Sequence, residues 1–321
     1  MRRQIAGRLL QGIAVVWIVV TLTFLLLHLA PGDAFSYRDA RISPEIIAHW
    51  RHVYCLDRPV ATQYACYVRS IVHGDLGYSI PQRRPVRDIL VDYLPRTIEL
   101  MLIALLVSFA VGIALGVLQA RRRGAFADWG SRAITLFFYS MPDFWLALML
   151  TLLFAYWIPI FPISGIEDVI NAPTYSSWQH VIDHVRHLVL PVTTLVLLTC
   201  AAIARFQRAA ILEVMRVEFV VTARAKGASE NVIARHHVLR NALLPIITIA
   251  GLALPALFGG AVFVELVFSW PGMGWITAAA VGNRDVALVT SSVLVTSILV
   301  VAGTIAADLL YAFADPRVRS A

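Results

Sequence analysis

Four carboxylates lie within or beside long apolar stretches of this sequence: Glu99, Asp143, Glu265 and Asp308. Charged side chains are costly inside a bilayer, and they usually face a cavity or an oppositely charged partner. Asp143 follows a proline, where a helix backbone can open, so it is our best candidate to meet a positively charged group of a substrate or of a neighbouring subunit. Glu265 is expected at an outer gate or docking surface, and Glu99 and Asp308 are expected near the membrane surface.

The sequence contains no grouping of side chains that is typical of an enzyme or a metal site. His236 and His237 are adjacent, so their rings diverge on a helix and do not suit zinc or nickel coordination. No Gly-x-x-x-x-Gly-Lys-Ser/Thr loop is present, so the chain does not hold the phosphates of ATP in that way. The carboxylates therefore point to recognition or gating.

The composition places the chain in the membrane class. Of its 321 residues, 59% are hydrophobic, and the mean hydropathy is +0.73, whereas soluble domains average about 45–50% apolar residues. We predict one all-α membrane domain, 1–321, because six apolar runs are long enough to cross a bilayer. These runs cover about residues 9–30, 97–120, 133–157, 188–204, 243–268 and 286–311.

The arginines predict how the spans are oriented. They cluster at the amino terminus, between the second and third spans, between the fourth and fifth, and in the tail. Positive residues favour the cytoplasmic side, so both termini are expected in the cytoplasm. The first outer loop, 31–96, is long, and long loops cross regardless of charge. The net charge of +7 is thus a matter of topology rather than a nucleic-acid site. The first span is read as an uncut anchor, because its apolar core is longer than that of a signal peptide.

The outer loop holds two of the three cysteines. Cys200 lies in the fourth span and is expected to be a small core residue. Cys55 and Cys66 lie in the outer loop, on a side that is oxidising, so they form either a disulfide or two unpaired thiols. Apolar positions at helical spacing predict three short amphipathic helices in this loop, starting at Ser43 and covering 60–71 and 86–93.

The most polar segment between two spans is the loop 205–242. It contains the only lysine of the chain, Lys226, among many arginines. The pattern predicts two helices, 209–225 and 230–239, separated by a break at Gly227 with Ser229 as the next cap. A compact basic knob of this kind can sit in a cleft on a soluble partner.

Several motifs, in register along the whole chain, resemble the ATP-binding-cassette importer permeases. The resemblance is strongest to the first of the two permease subunits in the dipeptide/oligopeptide/nickel branch. The stretches that carry it are ARAKG at 223–227, HHVLRNALLP at 236–245, LDRP at 56–59, GDLG at 74–77, SMPDFW at 140–145, VELVFSWPGMG at 264–274 and ADPRVR at 314–319. The general importer loop begins with Glu-Ala-Ala, whereas this chain has Val221, Thr222 and Ala223, so any salt bridge expected from that Glu is absent.

The resemblance implies a type I importer fold in the bacterial cytoplasmic membrane. It also implies partners: a second permease, two ATPase subunits that bind ATP and Mg²⁺, and an extracytoplasmic binding protein that delivers peptides. This chain itself would hold no cofactor. The loop residues expected to couple to the ATPases are Ala223, Arg224, Ala225, Lys226, Gly227 and Asn241. Asp143, Trp145 and Glu265 are assigned to the translocation path or a gate.

Three functions other than peptide import are alternatives for a sequence of this kind. A nickel or metal-chelate importer belongs to the same branch, and the binding protein is expected to read most of the substrate's identity. A stand-alone secondary transporter would show an inverted repeat, and none is detectable in the sequence. A membrane enzyme would need a nucleophile, a base or a metal grouping, which the sequence lacks.

Overall fold

The computed structural model describes residues 2–29, 45, 51–53, 55, 57–259 and 261–314. This part of the chain is almost entirely helical, as expected for an all-α membrane protein. The elements of the first half are α1 Arg2–Leu29, α2 Val60–Val72, β1 Tyr78–Ser79, β2 Arg84–Pro85, α3 Val86–Arg121, α4 Phe126–Tyr139, α5 Asp143–Thr151, a π-helical segment Leu152–Trp157 and a 3₁₀ turn Ala172–Thr174. The elements of the second half are α6 Ser177–Val214, α7 Glu218–Ala225, α8 Glu230–Val232, a second π-helical segment Ile233–Leu239, α9 Arg240–Ala242, α10 Leu244–Ala253, α11 Ala256–Gly259, α12 Val262–Val267, α13 Met273–Gly282 and α14 Val286–Ala314.

Among the described residues, five helices are long and apolar enough to cross a membrane, or six if one bent pair counts as a single span. The bent pair is α4 and α5, which meet at 103° in the middle of the span predicted for 133–157. The bend falls at Pro142, whose backbone is extended (φ −61°, ψ 136°). A proline has no N–H to continue the helical hydrogen bonds, so the helix stops before it and restarts at Asp143.

The second and fourth predicted spans are much shorter than the helices that contain them. α3 has 36 residues and passes through Pro95 without ending, so the short outer helix predicted at 86–93 is its first part. α6 has 38 residues, about 57 Å at the usual rise per residue. It begins at a capping box formed by Ser176 and Gln179, a local signal that the apolar count of 188–204 missed.

α3 and α6 pack side by side more extensively than any other pair in the described part of the chain. Two glycines of α3 lie at this contact. A Cβ on Gly112 would come within 2.7 Å of Ile203, and a Cβ on Gly116 within 2.7 Å of the Ala204 carbonyl oxygen. Small residues four apart allow helix backbones to approach closely in membranes, so these glycines fix α3 against α6.

The span predicted at 243–268 is not one helix. The apolar helical stretch there covers Glu230–Phe258, and α12 follows as a separate short helix. α10 ends close to Pro255, which cannot donate a helical hydrogen bond, and α11 begins directly after it. The carboxyl-terminal end of the predicted span therefore consists of two short helices.

The described part of the outer loop packs onto the helices instead of lying free. α2 corresponds to the helix predicted at 60–71 and lies along α1, where the Tyr64 and Thr21 hydroxyls are 2.7 Å apart and the rings of Phe24 and Tyr67 are stacked. The helix predicted from Ser43 falls outside the described residues, apart from positions 45 and 51–53.

A small hairpin, not anticipated from the sequence, joins α2 to α3. Its strands β1 and β2 pair antiparallel. The Ser79 hydroxyl donates to the carboxylate of Asp285, which also caps the start of α14 by accepting from the Leu288 N–H at 3.1 Å. Burial raises the pKa of Asp285. The Ser291 hydroxyl donates to the Leu76 carbonyl at 2.9 Å, so the hairpin is tied to α14 at two points.

The structure joins the sulfurs of Cys55 and Cys66, whose Cα atoms lie 6.4 Å apart. We expect one alkylated cysteine, Cys200, when the denatured protein is treated without reductant, and three after reduction. The loop closed by the bond spans 11 residues, so replacing either partner by serine should cost roughly 2–3 kcal/mol of stability. Thermal unfolding of each serine variant measures this cost. Three alkylated cysteines before reduction would contradict the bond.

Candidate coupling loop and translocation path

The polar loop forms a compact knob at the end of α6. The prediction of one continuous helix over 209–225 is wrong, because α6 ends at Val214 and a separate helix, α7, begins at Glu218. Val217 between them has an extended backbone (φ −75°, ψ 144°), which turns the chain. α7 is held against the rest of the molecule by Val220, which is completely buried in a cluster with Ile211 and Ile233.

Gly227 ends α7 in a left-handed conformation, with φ at +80°. The Ala228 N–H donates to the Ala223 carbonyl at 3.2 Å, and the Gly227 N–H donates to the Arg224 carbonyl at 3.0 Å. This is the hydrogen-bond pattern of the Schellman motif, in which glycine is strongly favoured. A Cβ on Gly227 would meet no atom within 4 Å, so the glycine is required by its backbone conformation and not by crowding inside the chain.

A salt bridge closes the knob across this turn. Arg224 donates from Nε to Glu230 Oε1 at 2.6 Å and from Nη2 to Oε2 at 3.1 Å, and this hydrogen bonding raises the pKa of Arg224. Both side chains are largely exposed, so water screens the pair and it contributes little to stability. Arg224 therefore already has an acidic partner in this chain, whereas Ala225 and Lys226 are exposed at the end of α7.

The return from the knob to the membrane contains a π-helical segment, Ile233–Leu239. It follows α8, where Ser229 occupies the predicted cap position without a side-chain hydrogen bond. Asn241 is exposed, and its side-chain amide donates to the His237 carbonyl at 2.6 Å. π-Helical segments are rare and occur frequently at functional sites, so this junction is a second feature of the knob besides Gly227.

Sequence reasoning missed an ionic cluster near the knob. Asp128 in α4 is 1% exposed. It accepts from Arg208 of α6 at 3.2 and 3.1 Å, from the Gly124 N–H at 3.0 Å and pairs with Arg132 at 3.1 Å. Only the Asp128–Arg132 pair, one helical turn apart, is visible as a local pattern. The cluster clamps the start of α4 to the end of α6.

Asp143 and Trp145 open α5 just after the bend. Asp143 is half-buried, and its carboxylate accepts from the Phe144 N–H at 2.9 Å. Trp145 is 41% exposed. Both lie at the most sharply bent point of the described spans, and their assignment to the translocation path stays a prediction.

Glu265 lies in the interior of the described structure, and its assignment to a gate stays a prediction. It is completely buried, and its carboxylate accepts from the Thr97 hydroxyl at 2.8 Å and from the Trp275 N–H at 3.0 Å. The same Thr97 hydroxyl accepts from the Met273 N–H at 2.7 Å. Gly272 and Gly274 leave room for the carboxylate, because a Cβ there would lie 2.5 and 2.9 Å from Oε2. Through these contacts Glu265 forms a joint between α3, α12 and the start of α13.

The other two acids of the apolar stretches are also paired. Glu99 in α3 lies 2.7 Å from His184 Nε2 of α6, and Asp308 in α14 lies 3.2 Å from Arg8 Nε of α1. Within the described residues, no group of three or more His, Cys, Asp or Glu side chains could hold a metal ion. Glu99, Glu265 and Asp308 therefore each connect different helices.

Comparison with known proteins covers nearly the whole chain. Residues 112–320 match the family model described as the binding-protein-dependent transport system inner membrane component. Residues 1–101 match the amino-terminal model of binding-protein-dependent transport system membrane components. Both matches run through helices that the structure places in one continuous bundle.

Three relatives illustrate the similarity. The chain is 38% identical to the di/tripeptide transport system permease protein DppB of Pseudomonas aeruginosa, over 94% of each protein. It is 34% identical to the oligopeptide transport system permease protein AppB of Bacillus subtilis, over 99% of each, and 35% identical to the dipeptide transport system permease protein DppB of Escherichia coli, over 94% of each. The long apolar helices and the basic knob agree with these matches. The chain belongs to the family of binding-protein-dependent transport system inner membrane components.

Proposed function

We propose that this chain is one of two permease subunits of an ATP-driven importer that moves di- and oligopeptides. The second permease lines the path with it, two partner ATPases bind and hydrolyse ATP, and an extracytoplasmic protein delivers the peptide. The observation that carries the proposal is the match along nearly the full length to relatives whose names specify peptide transport. A nickel or metal-chelate substrate has no comparable support.

The knob is proposed to face the cytoplasm, together with both termini. The arginines near the ends of α3 and α6 and in the knob itself support this orientation, because positive residues favour the cytoplasmic side. In this orientation, α7 and Gly227 are presented to the ATPases, whereas Cys55, Cys66 and the β1–β2 hairpin face the oxidising side.

Force from the ATPases is proposed to enter at α7 and pass into the bundle by two routes. One route is the packing of Val220 against the end of α6. The other is the π-helical segment that leads from the knob to α10. ATP binding shifts the permease only in so far as the ATP-bound ATPases favour one of its conformations over the other. Asp143 and Trp145, beside the bend, are proposed to line the path.

The proposal is tested with the complete importer reconstituted in proteoliposomes with its binding protein. We expect uptake of a labelled dipeptide and tripeptide that requires ATP inside the vesicles, and no uptake of Ni²⁺ above background. The matched control is the same complex with the phosphate-binding lysine of the partner ATPases replaced. Uptake that persists in this control would contradict the ATP-driven mechanism, and uptake of Ni²⁺ alone would favour the metal importer.

A further inference from the structure

We propose that this chain binds one anionic phospholipid in a groove between α3, α4 and α6, with an acyl chain in the groove and the phosphate at the arginines that follow α3. None of the residues that line the groove belongs to the knob or is among the residues assigned to the translocation path. The polar end of the site is expected in the cytoplasmic leaflet, a position that rests on the orientation proposed above.

The wall of the groove is mostly apolar. It encloses about 210 Å³, and its apolar wall includes Val111, Leu115, Ile134, Phe138, Val196 and Cys200. Two hydroxyl residues also line it, but the Ser131 hydroxyl donates to the Ala127 carbonyl at 2.7 Å and that of Thr135 to the Ser131 carbonyl at 2.9 Å. Both hydroxyl hydrogens are donated within α4, so neither hydroxyl is free to donate to an occupant. A hydrocarbon chain suits such a surface.

One end of the groove lies next to a surplus of positive charge. Ser131 is at that end of α4, and one turn further Asp128 is shared by Arg132 and Arg208. One carboxylate thus faces two guanidinium groups and balances the charge of one of them. The exposed Arg122 and Arg123 lie seven and eight residues beyond Leu115 on the chain that leaves α3, about 10–12 Å along a helix axis.

The charge decides which lipid fits. A basic cluster beside a groove between transmembrane helices is complementary to a phosphate head group that carries net negative charge, and each arginine near the surface adds about 1 kcal/mol of attraction. A zwitterionic lipid offers the same acyl chains without that attraction. The site should therefore favour phosphatidylglycerol over phosphatidylcholine.

The test measures lipids that remain bound to the complete importer after exchange into an equal mixture of phosphatidylglycerol and phosphatidylcholine, by native mass spectrometry. Ile134→Trp fills the groove from α4 and should lower the retained phosphatidylglycerol at least fivefold. Leu136→Trp is the matched control, because both side chains are 60% exposed on the same helix and only Ile134 lines the groove. Val111→Phe fills the groove from α3 and should repeat the loss if Ile134→Trp fails to assemble.

A second variant tests the head group. Replacing Arg122 and Arg123 together by glutamine should lower the preference for phosphatidylglycerol by about 25-fold, or about fivefold for each arginine. Equal retention in Ile134→Trp and Leu136→Trp would overturn the groove as the binding site. An unchanged preference in the arginine variant, or no preference in the unaltered importer, would overturn the anionic lipid as its occupant. Peptide uptake by the unaltered importer is recorded in parallel, so failure of the lipid site is separable from failure of the proposed transport function.

Discussion

Replacing Gly227 by tryptophan is expected to leave an importer that assembles but no longer raises its ATP hydrolysis when peptide and binding protein are added. A Cβ added at Gly227 would meet no atom within 4 Å, so this chain leaves room for a side chain to start outward from that position. It projects from the end of α7, where the ATPase is proposed to dock. Coupling between sites is typically worth about 1–3 kcal/mol, so losing it should reduce the stimulation about 5- to 150-fold.

Gly124→Trp supplies a matched control for this experiment. Gly124 has φ at +79° and Gly227 has φ at +80°, and neither would have an atom within 4 Å of an added Cβ. Both substitutions therefore carry the same backbone strain, about 1–2 kcal/mol for a left-handed residue other than glycine. Stimulation should survive in Gly124→Trp. If both variants lose it equally, strain explains the loss, and if Gly227→Trp keeps it, the knob is not the coupling element.

Replacing Glu265 by alanine is expected to prevent stable folding of the chain in the assembled importer. The change leaves the Thr97 hydroxyl and the Trp275 N–H without their buried acceptor. Each unsatisfied buried group costs about 1–3 kcal/mol, and an empty space where the carboxylate lay adds to this. The yield of intact complex on size-exclusion chromatography and its thermal unfolding midpoint should both fall sharply.

Glu265→Gln and Glu167→Ala separate the structural role from a role in transport. Glutamine retains the shape and one acceptor oxygen, so its midpoint should lie between those of alanine and the unaltered chain. Glu167 is exposed, and its replacement should change the midpoint little. If Glu265→Ala is instead as stable as the unaltered chain and only peptide uptake falls, then the residue acts at a gate and the buried joint is not its function.

Apolar runs and local turn signals predicted the class of fold, the helix α2 and the break at Gly227. Those features depend on neighbours in sequence. The true lengths of α3 and α6 were missed because the ends of both helices carry polar residues and lie beyond the hydrocarbon core. A count of apolar residues identifies only the part of a helix that lies in the bilayer core. α6 has 38 residues and extends beyond that part.

The roles of the acids depended on contacts that no local pattern contains. Thr97 and Glu265 are 168 positions apart, and Asp128 and Arg208 are 80 apart. Sequence reasoning therefore placed Glu265 at a gate because it is acidic and apolar residues surround it. Gly272 and Gly274 belong to the motif VELVFSWPGMG, but only the structure relates them to the space occupied by the Glu265 carboxylate.

The π-helical segment Ile233–Leu239 joins the knob to α10. Its geometry fixes how far α10 would move if the segment became α-helical. A π turn holds about one residue more than an α turn, whose residues rise about 1.5 Å and rotate about 100° each. Conversion of this segment to α-helix would move α10 relative to α7 by one such increment. Deleting one residue within 233–239 should therefore favour the α-helical form and shift α10 relative to α7 by that increment.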